Sequence, residues 1–239
     1  MKSKKKSRYI KLEGKAYERN ASPSFAHGLN FYKLFWVFFI GCFIGVVLET
    51  IWCAVTLYKI ENRSGLVFGP FNPVYGSGAV FITLCLYKLR NLRDLWIFVD
   101  GVVLGGAFEY LCSWLQQLVF GTVSWEYSQT QFNIGGRTTL LYAFIWGILA
   151  LLWVKNLFPL MSHLIEKIPN KIGKTLTWVL IVFMVVNMGT SALAVTRQTE
   201  RRRGIPANNV VEKVLDRYFN DHFLKWVYPN MMVAPENKK

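Results

Sequence analysis

The chain has 239 residues, is 53% hydrophobic and 16% aromatic, and carries a formal net charge of +14. That apolar content excludes a disordered chain. Residues 1–30 and 197–239 hold 17 of the 28 Lys and Arg and 7 of the 14 Asp and Glu, and the long uncharged runs between them argue against a soluble basic domain.

Residues 1–30 form a basic tail with a Lys2–Arg8 run. Such a run suits anionic lipid head groups, at ~1 kcal/mol per basic residue near the surface. Nucleic acid is not an expected partner, because neither aromatic interleaving nor a folded recognition module accompanies the charge. The first apolar run, Leu34–Tyr58, contains one charge, Glu49. It is too long for the apolar region of a signal peptide and is expected to stay attached. The second, Ser64–Tyr87, has no charge, and the third, Leu95–Phe120, has Asp100 and Glu109. The fourth, Thr138–Val154, is only 17 residues long, and the fifth is Thr175–Thr196. A helix needs roughly 20 apolar residues to cross a ~30 Å hydrocarbon core, so the fourth run sits at the lower limit. The runs are continuous rather than alternating, which excludes a strand-built barrel. After them, Val211, Val214, Leu215, Tyr218, Phe219, His222, Trp226 and Val227 have the spacing of one amphipathic helix over Asn208–Tyr228, ended by Pro229. Such a helix can lie on the bilayer, dock on a partner or pack on its own bundle.

The expected fold is therefore all-α, a polytopic membrane helix bundle. Two repeated helical hairpins are followed by a fifth membrane helix and an amphipathic C-terminal helix. The expected segments are a basic cytoplasmic tail (1–30), a duplicated four-helix core (31–160), an inner loop with the fifth helix (161–196), and a basic tail (197–239). With the N-terminus inside, the inner side receives 16 basic residues and the outer loops only Lys59, Arg63 and Arg137. The positive-inside rule then predicts a cytoplasmic N-terminus, and the expected location is a bacterial plasma membrane. The nine basic residues after the fifth run fall on the outer side and leave the side of that tail open. Cys42, Cys53, Cys85 and Cys112 all lie in apolar runs without metal-ligand spacing, so they read as small buried hydrophobes, and no metal or cofactor is expected.

The repeat is explicit in the residues. Gly41, Gly45 and Glu49 in the first run match Gly101, Gly105 and Glu109 in the third, both as G-x3-G-x3-E. Residues four apart share a helix face, and small residues there let membrane helices approach closely. The first and third helices are expected to pack on each other near these four glycines. Each acid is followed by a loop containing Asn and Arg: Asn62 and Arg63, then Asn133 and Arg137. An acid within a membrane helix costs at least ~2.5 kcal/mol and normally finds an interior partner. Glu49 and Glu109 are thus either structural clamps, hydrogen-bonded or paired with Arg63 and Arg137, or a proton-responsive or ligand-coordinating pair, with catalysis a third and weaker reading. Pro70 and Pro73 resist a continuous helix, so residues 62–76 are expected to fold back onto the bundle and to be candidate cavity lining.

Asn62-Arg63, Gly65, Gly69-Pro70-Phe71, Pro73, Tyr75-Gly76 and Gly78 resemble the N-R-x-G…G-P-F-x-P-x-Y-G-x-G pattern of the CmpB-like family of type IV ABC-transporter membrane subunits. Trp125, Tyr127, Ser128, Asn133, Gly136 and Arg137 are similar to its second block, with Glu126 where Asp is usual. The resemblance covers about residues 31–155 and implies a transporter component, with no catalytic residues to carry over. The chain has no G-x4-G-K-[ST] motif, so ATP hydrolysis would come from a separate ATPase subunit. It also has no HExxH, GxSxG or His/Asp cluster, and it is not expected to be an enzyme. Two function classes remain: the membrane subunit of a transporter, and a non-transporting auxiliary or regulatory membrane protein. The bilayer, the ATPase and a further copy of the chain are the partners to look for.

Overall fold

The computed structural model describes residues 24–56 and 58–234. The Lys2–Arg8 run lies outside these residues. The helices are α1 (Phe31–Thr56), α2 (Pro73–Leu86), α3 (Asp94–Phe120), α4 (Leu140–Leu152), α5 (Phe158–Glu166), α6 (Asn170–Arg202), α7 (Val210–Tyr218) and α8 (Asp221–Val227). Two short antiparallel pairs complete the described residues: β1 (Thr122–Val123) with β4 (Met232–Val233), and β2 (Asn133–Ile134) with β3 (Thr138–Thr139).

Four stretches are long and apolar enough to cross a membrane: α1, α3, the continuous 140–166 stretch, and α6. Between 22% and 28% of each apolar stretch is buried, so most of its surface must face a non-aqueous phase. The chain is a multi-pass helical membrane protein. The second apolar run behaves differently from the other four. Its helix α2 has only 14 residues, about 21 Å of rise, because Pro73 starts it and Asn72 caps it. The fourth run is longer than its apolar residues suggest. A π-helical turn at Trp153–Leu157 leads into Pro159 near the start of α5, and helix continues to Glu166. A proline cannot donate to the turn behind it, and a π-turn is one way to absorb that mismatch. The 33-residue α6 rises ~50 Å, well beyond the hydrocarbon core.

Close helix packing occurs within each hairpin. A Cβ at Gly41 would lie 3.1 Å from the Ala79 Cβ and 3.2 Å from the Gly76 Cα, and one at Gly45 would overlap Tyr75. In the second hairpin, a Cβ at Gly101 would lie 2.5 Å from the Ala150 Cβ and 3.0 Å from the Gly147 Cα, and one at Gly105 would overlap Trp146. The four glycines therefore face α2 and α4, and the expected seam between the first and third helices is corrected. The physical reason is direct: antiparallel neighbours joined by one loop take the bulk-free face first.

The remaining packing ties the hairpins to α6. At one end, Phe25, Trp36, Phe158, Met161 and Ile165 form a cluster, and the Trp36 indole donates to Thr177 at 2.9 Å. The fully buried Lys33 ammonium lies there, 2.5 Å from Glu166 and bonded to Ser162. At the other end, Val67, Ala194, Leu215 and Leu224 bring α6, α7 and α8 against the loop before α2. The single amphipathic helix expected over Asn208–Tyr228 is two helices. The chain breaks after Tyr218, and Asn220 caps α8 by accepting from the Phe223 N–H at 2.9 Å.

Candidate functional site

The site forms where the two hairpin loops meet the helix ends that carry the acids. Residues 58–72 are irregular yet run into the bundle, with Leu66 and Val67 buried. Their backbone is satisfied by α6. The Val67 N–H donates to Ser191 Oγ at 3.0 Å, and the Phe68 N–H donates to Asn187 Oδ1 at 3.1 Å. Asn187 Nδ2 returns a bond to the Phe68 carbonyl at 2.7 Å. Buried backbone without such partners would cost several kcal/mol in lipid. Phe71 then seats its ring against Phe39 and Phe183. The segment folds back onto the bundle as expected, but it is packed against α1 and α6 rather than set around an open space. A shallow, open apolar groove between α1 and α2, about 420 Å³ and lined by Phe35, Phe38, Val80 and Phe81, lies away from both acids.

The second loop holds itself. Asn133 Oδ1 accepts from the Gly136 N–H at 3.0 Å, and its Nδ2 donates to the Thr130 carbonyl at 2.7 Å. The Trp125 indole donates to the Arg137 carbonyl at 2.9 Å. Glu126 accepts from the Ser128 N–H at 2.8 Å, and it is absent from the ion pairs among the described residues. Gly135 and Gly136 both have positive φ, 58° and 68°, so this turn depends on glycine. Asn62 has a smaller version of the same role, accepting from the Ser64 N–H at 2.9 Å.

The two acids sit in different surroundings. Glu109 is buried on α3. It accepts from Thr138 Oγ1 at 2.7 Å and from the Tyr127 hydroxyl at 3.2 Å, both borne by the second loop. Of the two clamp arrangements expected, hydrogen bonding or pairing with Arg137, Glu109 has the first. Arg137 reaches further along α3, to Ser113 Oγ at 3.1 Å and to Gln117, with its guanidinium 5.7 Å from the Tyr110 ring. Hydroxyls rather than a cation therefore satisfy Glu109. Glu49, at 32% side-chain exposure, lies 3.6 Å from Arg63. Arg63 also meets Glu61 at 3.2 Å, and its Nε has no hydrogen-bond partner. Asn230, beyond α8, donates to Glu61 at 3.4 Å.

Tyr127 ties the second loop to Glu109. Its ring stacks on Tyr142 at 4.8 Å, and its hydroxyl bonds Glu109. Burial first, then the carboxylate of Glu109, push its phenol above the ordinary tyrosine range, and the charge of Glu49 adds to the same shift. The sequence reading missed Tyr127, Thr138 and Asn187 as site residues. Polar residues beside or within apolar runs are the available signal, and Asn187 is the clearest case, a fully buried amide in the middle of α6.

Among the described residues no group of His, Cys, Asp and Glu could hold a metal ion. The cysteines are free, with Cys42 and Cys53 buried. A family model described as "Putative ABC-transporter type IV" matches residues 36–192, more than half of the chain, and the chain belongs to that family. No curated protein and no solved structure gives a match.

Proposed function

We propose that this membrane protein of an ABC-type system is the membrane subunit of a transporter that works with a separate ATPase. The observation that carries the reading is that the family match spans α1 to most of α6, including both acids and both loops. The chain lacks a phosphate-binding G-x4-G-K-[ST] loop, so a partner supplies hydrolysis. Within the subunit, Glu109 is the anchor that fixes the second loop, and Glu49 is the responsive acid. A buried carboxylate that accepts from two loop hydroxyls ties that loop to the helix, and removing it would leave both hydroxyls unpaired. One that is a third exposed, beside an arginine with a second acidic partner, can exchange protons or a cation.

The two hairpins are read as a duplication. Gly41 and Gly45 meet Gly76, Ala79 and Tyr75, while Gly101 and Gly105 meet Gly147, Ala150 and Trp146, with the same spacing on both sides. We place the N-terminus in the cytoplasm of a bacterial cell. The cap formed by residues 197–234 then lies outside with the two hairpin loops, which it touches through β1–β4 pairing and through Asn230. Its positive charge is partly offset there. Arg197 pairs with Asp216 at 2.9 Å and Glu200 at 2.9 Å, and Arg201 pairs with Asp216 at 2.6 Å and Asp221 at 2.7 Å.

Affinity purification of the full chain in mild detergent tests the reading. It should recover a polypeptide with an ATP-binding loop, whose ATPase rate in proteoliposomes changes in the Glu49→Gln variant. Repeated recovery of the chain alone would favour the auxiliary role. A normal rate in the variant would remove Glu49 from the mechanism.

A further inference from the structure

The cap contains one helix that uses two faces. Leu215 of α7 is buried against Val67, Ala194 and Leu224 and fixes the helix to the bundle. Beside that face, Val210, Val214 and Tyr218 are 75%, 47% and 62% exposed, and Val211, in line with Leu215, is 58% exposed. Positions four apart lie on one face of a helix, so Val210, Val214 and Tyr218 form a stripe, with Val211 beside it. A soluble surface helix would carry polar residues there.

Its charge surroundings are selective. Arg197 and Arg201 are neutralised by acids of the cap. Lys213 and Arg217 rim the stripe, and Arg202 and Arg203 end the preceding membrane helix. All four are exposed, and among the described residues none has an ion-pair partner. The Arg217 guanidinium lies 5.6 Å from the Tyr218 ring, which places a cation at the edge of the apolar stripe. Only residues 203–209 separate the end of α6 from the start of α7. Leu215 packs on Ala194, near the end of the apolar part of α6, which keeps the helix near the height at which α6 leaves the bilayer.

We propose that the Val210–Val214–Tyr218 face of α7 seats on the anionic phospholipid surface of the surrounding bilayer, with Lys213 and Arg217 on the lipid phosphates. An apolar face rimmed by lysine and arginine is what an interfacial helix presents to such a surface. The exposed Trp226 of α8 supplies a further side chain suited to the interface. The cap is thereby held on one side by the bundle and on the other by lipid. This does not depend on whether the chain transports.

Photo-crosslinking tests it in the full chain. A diazirine amino acid replaces Val214, an exposed position where folding tolerates the change. The protein is reconstituted in nanodiscs of phosphatidylcholine with or without phosphatidylglycerol. The expected product is a phospholipid adduct at residue 214, more abundant with phosphatidylglycerol. Lys213→Glu with Arg217→Glu should lower its yield by roughly fivefold or more, the factor for losing one basic contact at an anionic surface. An adduct to a second copy of the chain would overturn the proposal, as would a lipid yield no higher than that of the same probe at Gln129 on the second loop. A yield unaffected by both lipid charge and charge reversal would overturn it too.

Discussion

The two hairpins use the same glycine spacing to bring their helices together, yet they hold their loops in different ways. The loop after α3 is closed by its own side chains, Asn133, Glu126 and Trp125, and is pinned to Glu109. The loop after α1 is held from outside by Asn187 and Ser191 of α6. Its acid, Glu49, keeps only a 3.6 Å contact to Arg63. One frame thus carries a copy whose loop turn is closed by its own side chains and a copy whose loop leans on α6. The dependent copy retains an acid free enough to respond, and α6 is the element that makes this tolerable, because it supplies the hydrogen bonds the loop cannot provide for itself.

The strongest way to break that comparison is to remove the acids. Glu109→Ala leaves the Tyr127 and Thr138 hydroxyls without an acceptor in a buried site and should cost about 3–4 kcal/mol. Glu49→Ala leaves Arg63 with Glu61 and should cost less than about 1 kcal/mol, as for a partly exposed pair. Thermal unfolding in detergent reads both. Equal losses would mean that the two acids share one role.

Much of this arrangement is legible in the residues. Apolar runs locate the four membrane-long helical stretches, although the 24-residue second run yields only the 14-residue α2, and the repeated G-x3-G-x3-E marks both acids and both close-packing faces. The identity of the contacts is less legible. Arg137 follows Glu109 by twice the sequence distance that separates Arg63 from Glu49, and the longer second loop carries it past that acid to Ser113 and Gln117. Glycine spacing shows that a face is open without saying which neighbour fills it, and loop connection decided for α2 and α4. Asn187 lies far along the chain from the Phe68 backbone it serves, so no local pattern announces the pair. The continuation of helix through Pro159 is equally hidden, since proline ordinarily signals a stop.

The dependence of the first loop on α6 predicts a second effect. Asn187→Ala strands the Phe68 N–H and carbonyl in an interior site and should cost about 2–3 kcal/mol. Amide exchange should rise over residues 62–72, while residues 121–139 stay protected. A rise in both loops would show that they unfold together and that the second is not self-contained.

The shared frame predicts an equal, smaller effect. Gly45→Ala and Gly105→Ala each push a methyl into Tyr75 or Trp146 and should each cost about 1–3 kcal/mol through overpacking. Gly189 in α6 has nothing within 4 Å of the same added atom, and Gly189→Ala should stabilise by about 0.5–1 kcal/mol through helix propensity. Losses at Gly45 and Gly105 that differ severalfold would contradict the common packing.

The smallest effect concerns the cap that touches both hairpins. Hydrogen bonds from Arg197 first, and then from Arg201, hold the Asp216 carboxyl below the ordinary aspartate range. A carboxyl lowered by folding contributes stability that is present above its unfolded value. That stability is lost as pH falls through the folded value. The cap should therefore keep its attachment across neutral and mildly acidic pH and loosen only below the usual carboxylate range. Exchange should then rise first in residues 210–227 and at the β1–β4 pairing, which joins the cap to the second hairpin. The Val67 and Phe68 amides should stay protected at that pH, because Ser191 and Asn187 hold them and neither group titrates. Asp216→Asn should produce the same loosening at neutral pH and remove its pH dependence. If the Val67 and Phe68 amides open together with α7, the first loop depends on the cap as well as on α6, and the division of labour between the two hairpins has to be redrawn around residues 197–234.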